Sequence, residues 1–102
     1  MPSIEALEKL LRNDPGDPFL LYGLAQEYAN QKNHERAIEF YDQCLAADPS
    51  YCYAYYHKAR SQQALDRIDD AISTLKAGTD HARKSGDGHA VSELQAFLLD
   101  LT

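Results

Sequence analysis

A chain of 102 residues with 44% hydrophobic and 25% charged residues is long enough for one core and too rich in apolar side chains to stay disordered. Its net charge of −6 argues against nonspecific nucleic-acid binding, which depends on clustered Lys and Arg neutralising phosphates. No apolar run approaches the ~20 residues of a spanning helix, so no membrane partner is expected.

The stretch MPSIEALEKLL places Glu5, Glu8 and Lys9 inside its apolar pattern and lacks the basic-then-apolar layout of a signal peptide, which predicts a cytoplasmic protein. From Ser3 to about Asn13, Ile4, Leu7, Leu10 and Leu11 share one face of a short amphipathic helix. Asn13-Asp14-Pro15-Gly16 ends it, because proline cannot continue the hydrogen-bond ladder. Asp17-Pro18 then reads as an N-cap with proline at the first helical position, opening a second helix to about Asn30.

Asn33 is the cap of a third helix carrying Ala37, Ile38, Tyr41, Cys44 and Leu45 on one face, closed by Asp48-Pro49-Ser50. A fourth helix is expected from Tyr51 to about Ala64. Leu65-Asp66-Arg67 makes a tight connection to a fifth, from Ile68 to about Lys84. After Ser85-Gly86-Asp87-Gly88, residues His89 to Leu101 form a sixth amphipathic helix through Val91, Leu94, Phe97, Leu98 and Leu101. The tyrosines at 51–56 lack strand alternation, so the fold class is all-α.

A repeat runs through these helices. Pro15 and Pro49 lie 34 residues apart, as do Asp14 and Asp48, and Ile4, Ile38 and Ile72 follow one another at the same interval. In residues 18–49, Leu21, Leu24, Ala25, Tyr28, Ala37, Tyr41, Cys44 and Pro49 fill the W-x2-L-G-x2-Y…A-x3-F…P positions of a 34-residue helix–turn–helix unit. In residues 52–85 the same positions hold Tyr55, Lys58, Ala59, Gln62, Ala71, Leu75, Gly78 and Arg83. The chain therefore resembles the tetratricopeptide repeat family over roughly residues 2–85.

The resemblance implies a right-handed α–α superhelix of antiparallel helix pairs: a half-repeat helix at 3–13, one repeat at 18–49, a second at 52–85 and a terminal helix at 87–101. Small residues Ala25, Ala37 and Cys44 allow close helix approach, while Leu21, Leu24, Tyr28 and Tyr41 fill the space between. Lys58, Gln62 and Arg83 depart from the pattern and predict a looser second unit, with the fifth helix running on past the missing proline. Each pair buries one side only, so neighbours must stack.

The resemblance further implies a noncatalytic protein–protein interaction module that binds a peptide or helix on its concave face. The helix faces left over after packing put Phe19, Tyr22 and Gln26 beside Tyr53, Tyr56, His57, Arg60 and Gln63, residue types that dominate interfaces. Packing of these tyrosines against flanking helices is the competing reading. The Lys, Asn and Arg set with which some family members grip chaperone C-terminal carboxylates falls on Gly23, Tyr53 and His57 here, so that mode is not expected. Self-assembly through the end helices, using Ile4, Leu7, Leu11 and the segment 97–101, is the alternative function.

No catalytic, metal, cofactor or small-molecule chemistry is expected. His34, His57, His81 and His89 show no ligand spacing, and Cys44 and Cys52 have neither paired zinc spacing nor a multi-bridge framework. No G-x-x-x-x-G-K-[ST] or G-x-G-x-x-G cradle is present. The 35-residue RNA-reading repeats fit neither the 34-residue interval nor the acidic surface.

Overall fold

In the computed structural model, which describes residues 3–102, every cluster of breakers separates two helices. The order is α1 (Ile4–Asn13), α2 (Pro18–Asn30), α3 (His34–Ala47), α4 (Cys52–Ala64), α5 (Ile68–Ser85) and α6 (Gly88–Leu101). Met1 and Pro2, at the start of the motif match and of the stretch weighed as a leader, lie outside the described residues.

Side-chain caps set most of the starts. Ser3 Oγ accepts from the Ala6 N–H at 3.1 Å, Asp17 Oδ1 from Phe19 at 2.9 Å, Asn33 Oδ1 from Arg36 at 3.3 Å and Asp87 Oδ1 from Ala90 at 3.0 Å, each satisfying an N–H with no partner inside its helix. Tyr51 is the residue before α4 and not its first member. The turn ahead of it is tied to Asp48, which accepts from Ser50 and Tyr51 at 3.0 and 3.1 Å.

Three of the ends share one device. Lys32, Asp66 and Gly86 adopt left-handed backbone with φ of 64°, 61° and 76°. The following N–H of Asn33, Arg67 or Asp87 reaches back to Tyr28, Gln62 or Ala82 at 2.8–2.9 Å. This is the Schellman closure, which turns the chain sharply enough to return it antiparallel. With Arg83 at the place of a closing proline, α5 runs on to Ser85 and stops only at Gly86.

The inward residues pack as expected between α2 and α3: Leu24, Ala25, Ala37, Tyr41 and Cys44 are wholly buried and Leu21 nearly so. Tyr28 is only half-buried. Its ring stacks on Phe40 at 5.6 Å with 3° between planes, and the Arg36 guanidinium lies over both rings. The positions 34 residues further on hold Gln62 and Thr74, both buried, with the Thr74 hydroxyl donating to Gln62 Oε1 at 2.7 Å. The departures at Gln62 and Lys58 therefore do not loosen the second unit. Ala59, Ala71 and Leu75 are fully buried, and Lys58 pairs with Asp42 at 2.6 Å. Gly78 lets α5 touch Tyr55 of α4 directly.

Each helix packs on its chain neighbours, and α2 also meets α4 while α4 meets α6. That alternation places α2, α4 and α6 side by side. The core is continuous across α4, which gives Ala54 to the first cluster and Cys52, Tyr55 and Ala59 to the second.

Candidate functional site

The row α2–α4–α6 carries two adjoining recesses. One, of about 490 Å³, is lined by Gln26, Ala29 and Asn30 of α2, Lys32 of the turn, His34 and Tyr41 of α3, and His57, Arg60, Ser61, Gln63 and Ala64 of α4. The other, of about 370 Å³, lies between Tyr56, Arg60 and Gln63 of α4 and Glu93, Ala96, Phe97 and Asp100 of α6. Arg60 and Gln63 border both, so the two recesses adjoin across α4 and together form the grooved face of the row.

The floor is held by hydrogen bonds and ring contacts. The Tyr41 hydroxyl donates to Gln26 Oε1, which leaves the Gln26 amide NH2 as a donor at the recess wall. His34 Nδ1 and Ser61 Oγ are 3.1 Å apart, tying the start of α3 to α4. The His57 ring sits edge-on between Tyr22 at 6.0 Å and Tyr56 at 5.3 Å. Tyr56 in turn lies 5.1 Å from Phe97.

Burial lowers the His57 pKa from 6.5, and Arg60 adds to this against a smaller opposing pull from Glu93. Burial also pushes the Tyr22 hydroxyl up to about 12 and raises that of Tyr41. The Cys44 thiol, buried and beside Asp48, rises to about 11 and is a poor nucleophile at neutral pH. Cys44 and Cys52 are both unpaired. Among the described residues no set of His, Cys, Asp and Glu is placed to hold a metal ion.

Of the residues expected on this face, Gln26, Tyr56, His57, Arg60 and Gln63 line the groove. Phe19 and Tyr53 line neither recess but are 70% and 44% exposed, together at the N-terminal ends of α2 and α4. Tyr22 is half-buried against Tyr41, Tyr51 and His57, so packing and groove each claim part of this face. Gly23 looks toward α1, where a Cβ would meet Leu7 at 3.5 Å.

The α6 side of the groove was missed by the 34-residue interval. Tyr56, Arg60 and Gln63 correspond to Glu93, Phe97 and Asp100, an offset of 37 in each case. The extension of α5 to Ser85 supplies the difference. Lys32, Asn30 and His34 were missed as well, because their side chains come together only when the Lys32 turn folds.

A row of antiparallel helices presenting alternate members to one groove defines a helical-repeat solenoid. Residues 3–78 match the family described as "Anaphase-promoting complex, cyclosome, subunit 3". The chain is 31% identical over 98 residues, 96% of its own length and 93% of the other, to the TPR repeat-containing protein PA0015 of Pseudomonas aeruginosa. It belongs to the tetratricopeptide repeat family.

Solved structures are similar over most of the chain. The solution structure of a tetratricopeptide repeat domain protein from Salinibacter ruber is 41% identical, with TM-score 0.80 over 86% of this chain and 89% of that one. The TPR2B domain of yeast Sti1, in complex with an Hsp70 peptide, is 21% identical with TM-score 0.89, over 96% and 78%. That likeness concerns the fold alone. Among the described residues no helix is long and apolar enough to cross a membrane.

Proposed function

We propose that the chain is a noncatalytic protein–protein interaction module that binds a peptide or helix of a partner in the groove over α2, α4 and α6. The observation that carries this reading is the pair of adjoining recesses that share Arg60 and Gln63 as lining. Groove residues of this kind combine aromatic area with donors that fix a backbone or a charge. The Hsp70-peptide complex of the Sti1 domain supports peptide capture as a use of this architecture. The proposed contacts are Gln26, Tyr56, His57, Arg60 and Gln63 within the recesses, with Phe19 and Tyr53 at one end. Tyr22 acts by bracing His57.

We read the chain as a half-repeat helix, two repeats and a terminal helix, working in the cytoplasm without cofactor or small-molecule substrate. Two unpaired, buried thiols suit a reducing compartment. Self-assembly through the ends is the second reading and rests on Leu10 and Leu99, which are 51% and 74% exposed. Leu7 and Phe97 are buried within the chain, while Ile4 and Leu11 pack against the first cluster. Little of the predicted assembly face is therefore free. Light scattering over a dilution series separates the two readings, since a concentration-independent monomer rejects assembly.

The interaction reading is tested by affinity capture with wild type against a Phe19→Ala, Arg60→Glu, Gln63→Ala variant. All three side chains are exposed, so folding should survive, which circular dichroism checks. Loss of specifically captured proteins is expected. Identical capture by both would reject the groove.

A further inference from the structure

We infer that the groove is built for a peptide segment of divided charge, seating an acidic side chain between α2 and α4 and a basic side chain against α6. The inference rests on the reading of this groove as the partner surface and adds the chemistry of what lies in it.

The asymmetry is in the lining. The α2–α4 recess carries the two fixed cations Lys32 and Arg60, with the rings of His34 and His57 beside them and no Asp or Glu among its walls. In a chain with 16 acidic against 10 Lys and Arg residues, a recess with that lining runs against the composition of the surface around it. A recess walled by low-dielectric protein concentrates the field of the charges lining it. The neutral groups there add donors: the free amide NH2 of Gln26, and the side-chain amides of Asn30 and Gln63. Cations with supplementary N–H donors match a carboxylate.

The α4–α6 recess has the opposite trend. Glu93 and Asp100 line it, with Arg60 on the shared wall. Glu93 is also 2.6 Å from His89 Nε2, but His89 is 72% exposed, and an exposed pair of that kind gives way at little cost. The apolar floor between the poles, Phe97 against Tyr56, offers contact for the aliphatic stem of a Lys or Arg. Charge complementarity thus orients the occupant across α4, with its acidic end toward the Lys32 turn.

The test is selection from a randomised linear peptide library displayed on phage, followed by fluorescence polarisation with the enriched peptides made synthetically. Enriched peptides should carry an acidic residue in one half and a basic residue in the other. Replacing the acidic residue by Lys, or pairing the peptide with Lys32→Glu/Arg60→Glu protein, should weaken binding by about tenfold or more. Glu93→Lys/Asp100→Lys protein should lose affinity for the basic end alone.

Enriched peptides with no charge order, or ones that bind these variants as tightly as wild type, would overturn the inference while leaving an interaction module standing. Failure to enrich any peptide would reject the module reading itself, and this inference with it. The peptide-side replacements need no protein variant, so a variant that misfolds does not block the test.

Discussion

Single side chains set the closest approaches in this stack. A Cβ added at Gly78 would lie 2.6 Å from the Tyr55 Cβ, and neither atom is the far end of a flexible side chain. Gly78→Ala should therefore cost about 1–3 kcal/mol in urea unfolding, as overpacking does, despite alanine's better helix propensity. At Asp66, φ of 61° is strained for an L residue on an exposed turn, and Asp66→Gly should gain about 0.5 kcal/mol after glycine's entropic loss.

His57 makes stability depend on pH. Its folded pKa is lowered from 6.5, so the unfolded chain binds the proton first and stability falls as pH drops below that value, until the folded value is passed. Tyr22 from α2, Tyr56 and Arg60 on its own helix and Glu93 from α6 are the groups around it. The difference between wild type and His57→Gln in denaturant midpoint should narrow or reverse between pH 7 and pH 5; a difference constant with pH would refute the assignment. Gly78 occupies a small-residue position visible in the sequence, and Asp66 a turn visible there. The shielding of His57 was not visible, because it comes from tyrosines on two helices.

At the scale of elements, one pair of positions solves the same packing problem twice. Between α2 and α3 it is the Tyr28–Phe40 stack, and between α4 and α5 it is the Gln62–Thr74 hydrogen bond. Thr74→Val should cost about 1–3 kcal/mol, since it leaves Gln62 Oε1 buried without its donor. Adding Gln62→Leu should recover a good part of that loss, and a double-mutant cycle in urea measures the coupling. Additive losses would mean the bond is not a unit.

All six helices were readable from periodicity, caps and breakers, with boundaries off by a residue or so at Tyr51 and Gly88. Polar substitutions in the pattern suggested looseness because sequence spacing does not reveal that Gln62 faces the Thr74 hydroxyl and Lys58 faces Asp42. The register of α6 was lost for a related reason: without a proline at position 83, the length of α5 is decided by Gly86 and its left-handed turn.

For the whole molecule, the consequence of stacking is that α4 belongs to both core clusters and to both recesses. Its buried side welds the stack, and its outer side carries Arg60 and Gln63 at the junction of the groove. A radius of gyration of 13.3 Å is close to the ~13 Å of an ordinary globular domain of this size, so these six helices stack compactly. In the proposed reading, the face over α2, α4 and α6 receives one peptide segment or one helix face. The measurement that tests this most directly is an NMR titration of labelled protein with a library-selected peptide, following every backbone amide. The account predicts shifts concentrated on α2, α4 and α6, around Gln26, His57, Arg60, Gln63 and the Glu93–Asp100 turns of α6. Shifts concentrated instead on the opposite side, along α1, α3 and α5, would contradict it.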